Sequence, residues 1–267
     1  MEKNETYSTD ELSSDTLFNG RVLLFQPKKG YRFSVDSPLL TWFCWSDRPA
    51  DHCADLGSGC GVIGISLLVA QQAKHVVAVE IQSKLASLSL QNAEANSVTN
   101  NFTLIKGDMR ENHRKLPQKT FDLVVSNPPF WPSDSGRLPP DEERRIARHE
   151  ISITLFELIQ KAETLLHPRR GRFCIAFPAM RVSMLLSCLA QSKLNASKII
   201  FIHPNQNSNA ELVLLEARIG RAGQLKIAPP LYLRDTDNQN SEIASEILSG
   251  AFCPSLHTLE DLRSATR

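Results

Sequence analysis

The chain has 267 residues and a formal net charge of +1, with 42% hydrophobic and 22% charged residues. This length suits one large domain with small additions, and the composition is ordinary for a globular protein. No apolar run is long enough to span a bilayer, so we expect no membrane partner. The polar, acidic first residues (1–6) do not resemble a signal peptide, and we expect a cytoplasmic protein.

The six cysteines include no Cys-x-x-Cys pair and no Cys/His cluster with the spacing of zinc ligands. We therefore expect no metal site. Cys53, Cys60 and Cys174 lie in or beside predicted core strands. The plain interpretation is that they are buried free thiols in a reducing compartment.

The N-terminal region is predicted to contain a tail, a hairpin and a short helix. Residues 1–14 are expected to be a disordered tail, and 15–36 a hairpin segment with a turn at 26–30. Pro38 suits the first turn of a helix over 38–45, which Asp36 or Ser37 would cap. The main domain is predicted over 37–252, followed by a C-terminal tail over 253–267.

From residue 50 onward, predicted strands and helices alternate, which indicates a doubly wound α/β sheet. Seven core strands are predicted, at 51–55, 75–80, 102–105, 121–125, 171–177, 197–203 and 211–219. Helices are predicted at 62–73, 82–96, 151–166, 179–193 and 240–251. The segment 131–148 is rich in proline and charge, which is typical of a loop that becomes ordered with substrate.

A glycine-rich turn follows the first core strand. It carries Asp55, Gly57, Ser58, Gly59 and Gly61. A P-loop is excluded because no Gly-Lys-Ser/Thr is present, whereas the dinucleotide pattern G-x-G-x-x-G is met by Gly59, Gly61 and Gly64. Asp55 argues against a dinucleotide, because its carboxylate would repel a pyrophosphate. The same carboxylate would attract a cationic ligand or one with an ammonium group.

A second turn follows the strand predicted at 121–125. Its residues are Ser126, Asn127, Pro128, Pro129 and Phe130. Two consecutive prolines cannot continue a strand, because neither has an N–H, and they stiffen the backbone. Asn127 Oδ1 and a nearby carbonyl could accept both hydrogens of a flat –NH2 group, while Phe130 stacks on its ring. An ordinary tight turn is the alternative.

Together these elements resemble the class I S-adenosylmethionine-dependent methyltransferases. The turn from Asp55 to Gly61 resembles their motif I, and residues 106–108 resemble their adenine-contacting turn. The turn from Asn127 to Phe130 resembles motif IV of the amino-methyltransferases. The resemblance implies S-adenosyl-L-methionine as the cofactor. It also implies a Rossmann-like, doubly wound, seven-stranded sheet with a small N-terminal β-hairpin.

The resemblance also implies a set of site residues. The catalytic residues would be Asn127, Pro128, Pro129 and Phe130. The cofactor-binding residues would be Asp36, Asp55, Gly57, Ser58, Gly59, Gly61, Glu80, Asp108 and Asn127. Glu80 ends the second strand about 20 residues after the glycines, the spacing at which a carboxylate binds ribose hydroxyls. Asp36 is expected near the amino-acid end of the cofactor, with helix capping as the alternative.

Over residues 15–252 the chain resembles the bacterial tRNA(Val) adenine-N6 methyltransferases, especially at 17–21, 26–36 and 229–233. This implies methylation of the N6 amine of an adenine in tRNA. Phe130 departs from the tyrosine of many members, and phenylalanine also occurs there in ribosomal guanine-N2 methyltransferases. Those enzymes remain an alternative. So do the protein-glutamine methyltransferases, although they carry a helical N-terminal domain where this chain has a predicted hairpin.

Basic residues form three groups that could follow the phosphates of an RNA partner if they share one face. The groups are Lys28, Lys29 and Arg32; Arg137, Arg144, Arg145 and Arg148; and Lys161, Arg169, Arg170 and Arg172. Solvated surface charge is the alternative interpretation.

Overall fold

The computed structural model describes residues 6–30, 32–111, 115–128, 154–220 and 223–250. The strands are β1 (Leu12–Leu17), β2 (Val22–Pro27), β3 (Ala50–Leu56), β4 (Ala73–Glu80), β5 (Phe102–Lys106), β6 (Leu123–Ser126), β7 (Arg172–Pro178), β8 (Leu194–His203), β9 (Leu212–Ile219), β10 (Lys226–Ile227) and β11 (Leu231–Tyr232). The helices are α1 (Asp36–Phe43), α2 (Val62–Val69), α3 (Ser83–Ala95), α4 (Leu155–Leu165), α5 (Val182–Ala190) and α6 (Glu242–Ser249). Within these ranges, no helix combines the length and hydrophobicity needed to cross a membrane.

The main sheet has the strand order β5-β4-β3-β6-β7-β9-β8. The first five strands in this order are parallel to one another, and β9 is antiparallel to both of its neighbours. The predicted seven-stranded, doubly wound core is therefore confirmed. The short strands β10 and β11 also pair with β8, and the sequence prediction missed them because each has only two residues.

Both faces of the sheet are covered, so successive residues of a strand enter different halves of the core. Cys53 and Leu123 pack on the face covered by α1, α2, α3 and α6, whereas Ala54 and Val124 pack on the face covered by α4 and α5. Burial on both sides explains why these strands read as nearly continuous apolar runs in the sequence.

The N-terminal hairpin is formed by β1 and β2 and is fastened to α3 by two asparagine side chains. Its turn lies at 18–21, so the turn predicted at 26–30 is wrong: β2 is still paired with β1 up to Pro27. Asn92 Oδ1 accepts from Phe25 N (2.7 Å), and its Nδ2 donates to Phe25 O (3.0 Å). Asn96 makes the same pair of bonds with Leu23. Each amide thus bonds to both the N–H and the C=O of one residue of β2, as a neighbouring strand would. Strand β1 begins at Leu12, before the predicted start of the hairpin segment at residue 15.

Two helix predictions differ from the structure for local reasons. The helix predicted over 62–73 ends at Val69, because Gln71 has a φ of 56° and turns the chain into β4. The helix predicted over 38–45 begins at Asp36, and the capping prediction is wrong. Its N-cap residue is Val35, and no side chain caps it.

The predicted free thiols Cys53, Cys60 and Cys174 are confirmed, because all three are buried and none forms a disulfide. Burial raises the pKa of the Cys60 thiol to about 12. In the described part of the chain, no group of three or more His, Cys, Asp or Glu residues is arranged to hold a metal ion.

Candidate functional site

The carboxyl ends of β3 and β6 lie side by side at the point where the sheet changes its winding direction. In open α/β sheets this position forms the ligand-binding crevice. Ser126, the fully buried last residue of β6, donates its hydroxyl to Leu56 O at the end of β3 (2.7 Å). This bond brings the glycine turn and Asn127 to the same edge.

The glycine turn is held by bonds from its own N–H groups. Gly57 N and Ser58 N donate to Val79 O at 2.9 and 3.0 Å, Gly59 N to Glu80 Oε2 at 2.8 Å, Gly61 N to Ser58 O at 2.9 Å, and Gly64 N to Asp55 Oδ2 at 3.0 Å. A phosphate-binding turn needs its amides free for the anion. Because these amides are used within the protein, and two carboxylates accompany them, the turn is unsuited to a pyrophosphate.

The local structure requires glycine at two positions. Gly61 is the N-cap residue of α2 and has a φ of 84°, a conformation that L side chains rarely adopt. A Cβ on Gly64 would lie 2.8 Å from Val76 Cγ1 and 3.2 Å from Asp55 Oδ2. Gly64 therefore lets α2 pack closely on the strands, and its agreement with G-x-G-x-x-G reflects helix packing.

Asp55 is a buried acid with one oxygen unused by the protein. Its side chain is 1% exposed, and Oδ1 has no hydrogen-bond partner among the described residues. Burial raises the pKa of this carboxyl to about 7, the Gly64 N–H opposes the rise, and the charge of Glu80 adds to it. A buried acceptor without a partner destabilises the empty turn, so a ligand with a positive charge or an N–H donor would be favoured there.

Glu80 binds the turn and the start of α3 at once. Its Oε1 accepts from Gln82 N (2.8 Å) and its Oε2 from Gly59 N (2.8 Å), while burial raises its pKa. Each carboxylate oxygen keeps a second lone pair for a ligand hydroxyl. Ser58 Oγ is also buried without a partner in the described residues. The turn thus offers acceptors to a ligand with positive charge and hydroxyl groups.

Asp108 lies on the turn after β5. Gly107 N, in the same turn, donates to Glu80 O (3.0 Å) and so links this turn to the site. Arg110 donates hydrogen bonds to both oxygens of the Asp108 carboxylate. The distances are 2.8 Å from Arg110 N to Oδ1 and 2.5 Å from Arg110 Nη2 to Oδ2. The Asp108 side chain is 21% exposed. Arg110 was missed by the sequence analysis, although it follows Asp108 by only two positions.

The beginning of α1 reaches the Asn127 turn. Asn127 Nδ2 lies 3.4 Å from the hydroxyl of Ser37, which is 1% exposed. Asp36 immediately precedes Ser37, so this contact also brings Asp36 to the edge that carries Asn127. From the sequence, Ser37 was expected to act only as a helix cap. Pro128 is buried, whereas Pro129 and Phe130 lie outside the described residues.

Two residues of the third basic group, Arg170 and Arg172, lie away from the crevice edge. Arg172 is 6% exposed, pairs with Glu216 at 3.6 Å, and lies at the amino end of β7, opposite the crevice edge. Arg170 on the same side forms an ion pair with Asp122. The prediction that these two follow RNA phosphates beside the site is therefore wrong. The group at Arg137, Arg144, Arg145 and Arg148 lies outside the described residues.

The chain is similar to several known methyltransferases. The methyltransferase small domain family matches residues 39–137. A predicted O-methyltransferase from Agrobacterium tumefaciens superposes with a TM-score of 0.65 at 20% identity, covering 80% of this chain and 96% of that one. TYW2 of Pyrococcus horikoshii, in complex with MeSAdo, gives 0.56 at 13% identity, covering 80% and 73%. The fold and the glycine turn define a class I S-adenosylmethionine-dependent methyltransferase.

Curated relatives identify the family within this class. A tRNA1(Val) (adenine(37)-N6)-methyltransferase of Porphyromonas gingivalis is 31% identical over 192 residues, which cover 70% of this chain and 74% of that protein. The enzyme of the same name from Dyadobacter fermentans is 29% identical, with 72% and 79% covered. The chain belongs to this methyltransferase family, whose cofactor is S-adenosyl-L-methionine.

Proposed function

We propose that the protein transfers a methyl group from S-adenosyl-L-methionine to the N6 amine of an adenine in tRNA, and that it does so in the cytoplasm. The observation that carries this proposal is the position of Asn127. Its side chain directly follows β6 at the winding switch. The neighbouring glycine turn uses the N–H groups of its glycines within the protein and offers buried acceptors without a partner among the described residues. The choice of tRNA as the substrate and adenine as the target base follows the activity for which the relatives are named.

We assign the cofactor to the glycine turn and its neighbours, together with Asp36; it would also lie beside Asn127, whose side chain serves the substrate amine. The bound cofactor supplies a methyl group on a positively charged sulfur. Asp55 and Glu80 provide negative charge in a buried place, where electrostatic attraction is weakly screened. Glu80 would accept from the ribose hydroxyls, and Asp36 would hold the amino-acid end. Asp108 contributes to the adenine side, with Arg110 holding its carboxylate in one orientation.

On the substrate side, Asn127 orients the amine and Phe130 stacks on the base. Asn127 Oδ1 and a backbone carbonyl of the Asn-Pro-Pro turn accept the two N–H groups of the amine, which raises electron density on its nitrogen. The buried Pro128 keeps this turn stiff. Because the methyl donor is already electrophilic, positioning of the amine provides most of the rate acceleration. An adenine that is flipped out of its stack regains stacking energy on Phe130.

The alternatives differ in the substrate that carries the –NH2 group. The N-terminal part is a β-hairpin fastened to α3, which favours RNA over protein glutamine as the substrate. Phe130 alone does not separate adenine-N6 from guanine-N2, because either base stacks on an aromatic ring. The family membership favours adenine.

Mass spectrometry of nucleosides from a strain that lacks the gene tests the substrate. We expect N6-methyladenosine to disappear from the tRNA and to return when the wild-type protein is expressed. The purified protein should restore it to tRNA from that strain. Loss of a guanine-N2 methyl group from ribosomal RNA, with tRNA adenine methylation intact, would reject the adenine assignment.

A further inference from the structure

We infer that Ser37 is a positioning residue that holds the Asn127 side chain at the place where it meets the substrate amine. The inference rests on the proposed function and extends it to a residue outside the sequence motifs. Ser37 and Asn127 are 90 positions apart, and the fold brings Ser37 Oγ to 3.4 Å from Asn127 Nδ2. Among the described residues, this is the one hydrogen bond made by the Asn127 side chain.

Ser37 belongs to a firmly held helix. Leu39 and Leu40 of α1 are fully buried in the core, and Arg172 donates to Cys44 O at the end of the helix. Ser37 is itself 1% exposed, and its carbonyl accepts from Thr41 Oγ1 (2.9 Å). The hydroxyl that meets Asn127 is therefore carried by a backbone with little freedom to move.

The chemistry explains why the orientation of Asn127 matters. An asparagine amide has a donor end and an acceptor end, and rotation by 180° exchanges them. The substrate amine brings hydrogens and needs the Oδ1 end, while the Nδ2 end would oppose its N–H groups. In this structure Nδ2 is the end that meets the Ser37 hydroxyl, and Oδ1 is the end left for the substrate. Because a hydroxyl can donate as well as accept, Ser37 restrains where the amide lies, and the substrate amine selects the Oδ1 end.

The expected effect is modest because the bond is long and neutral. Loss of such a bond should lower kcat about 2- to 10-fold. Ser37→Ala should leave the affinity for S-adenosyl-L-methionine unchanged, since Ser37 acts on the base side. Ser37→Thr, which keeps an Oγ at the same position, should restore most of kcat.

Thr41→Val is the matched control. Thr41 is also a 1% exposed hydroxyl residue of α1, and its hydroxyl bonds to Ser37 O and not to Asn127. It should keep the wild-type kcat. If Thr41→Val lowers kcat as much as Ser37→Ala, the effect is a general disturbance of α1, and the inference is wrong.

A double-mutant cycle provides the decisive measurement. In an Asn127→Ala background, Ser37→Ala should have no further effect on kcat, because the side chain that it positions is gone. An equal loss in both backgrounds, or a wild-type kcat in the single variant, would overturn the inference. A wild-type enzyme that leaves tRNA adenine unmethylated would instead reject the proposed function, so the two failures are distinguishable.

Discussion

The glycine turn after β3 and the Asn127 turn after β6 lie side by side, but the protein holds their polar groups differently. In the glycine turn, backbone N–H groups bond to Val79 O, and the Asp55 and Glu80 carboxylates accept from further N–H groups. The Asn127 side chain has one bond of 3.4 Å within the described residues. A cofactor would therefore meet a prearranged turn, whereas the base meets a side chain that few contacts restrain.

This difference predicts how substitutions divide between the two turns. Changes at Asp55 and Glu80 should alter cofactor affinity, because their carboxylates are part of a preformed turn. Changes at Asn127 and Phe130 should alter turnover and substrate use while the cofactor still binds. The two turns would not be separate in function if a change at Asp55 or Glu80 altered only turnover, or if a change at Asn127 or Phe130 altered only cofactor affinity.

The largest effect is expected from Asn127→Ala. It removes a polar contact at the reacting amine, so turnover should fall about 100-fold or more. Cofactor affinity, measured by calorimetry, should stay nearly unchanged because the side chain faces the substrate. A fully active Asn127→Ala enzyme would reject the mechanism. A large loss of cofactor affinity with normal turnover at saturation would move Asn127 to the cofactor side.

Glu80→Ala should weaken cofactor binding by about 1–3 kcal/mol, or about 5- to 150-fold in Kd. The variant loses both the ribose contact and the carboxylate that accepts from Gly59 N. Glu80→Gln keeps an acceptor oxygen and should lose less. Glu94→Ala, which removes an exposed carboxylate from α3, is the control for charge alone. Unchanged affinity in Glu80→Ala would remove Glu80 from the site.

Phe130→Ala should reduce kcat/KM for tRNA by about 1–3 kcal/mol, the cost of one lost base stack. Phe130→Tyr keeps the ring and should retain activity. Equal kcat/KM values for the alanine variant and the wild type would show that the base does not stack on this residue.

The sequence predicts those parts of the site that stand where parallel strands end. Asp55, Glu80 and Asn127 each stand at or just after the end of a predicted strand, and parallel strands bring such ends to one edge. The contact between Ser37 and Asn127 could not be predicted in this way, because it depends on how α1 packs. The left-handed conformation of Gln71 was missed because glutamine gives no sequence signal for it.

The raised pKa of Asp55 predicts a pH dependence that separates stability from binding. Its folded pKa of about 7 lies above the ordinary value of 3.8, mainly because of burial. Its contribution to stability is therefore full below about pH 4 and is lost as the pH rises through 7. Asp55→Asn should unfold at a higher temperature than the wild type at pH 8, with a difference that shrinks toward pH 5.

Thermal unfolding from pH 5 to pH 8, with and without S-adenosyl-L-methionine, measures both effects. The cofactor should raise the unfolding temperature of the wild type, and should raise that of Asp55→Asn much less. A constant difference between the two apo proteins across this range would show that Asp55 does not titrate as expected. Equal stabilisation by the cofactor would remove Asp55 from its binding.

The smallest effects are expected in the N-terminal hairpin, where the sequence analysis grouped Lys28, Lys29 and Arg32 as RNA contacts. The structure separates them. The Arg32 guanidinium lies 3.2 Å from Asp15 Oδ2 and donates to Ser13 Oγ (2.8 Å), so it already holds the hairpin together. Lys28 Nζ donates to Asp10 O (2.8 Å), and Lys29 is exposed.

Lys29→Gln should therefore reduce the slope of log affinity for tRNA against log salt by about 0.7–0.9, the change expected for one lost phosphate contact. Arg32→Gln should leave the slope nearly unchanged and instead destabilise the protein by less than about 1 kcal/mol, because the Arg32–Asp15 pair is partly exposed. Asp15→Asn should destabilise it to a similar extent, since it breaks the same pair. If Arg32→Gln reduces the slope as much as Lys29→Gln, the guanidinium leaves Asp15 to meet a phosphate. The segment that follows β2 would then contact RNA through both residues.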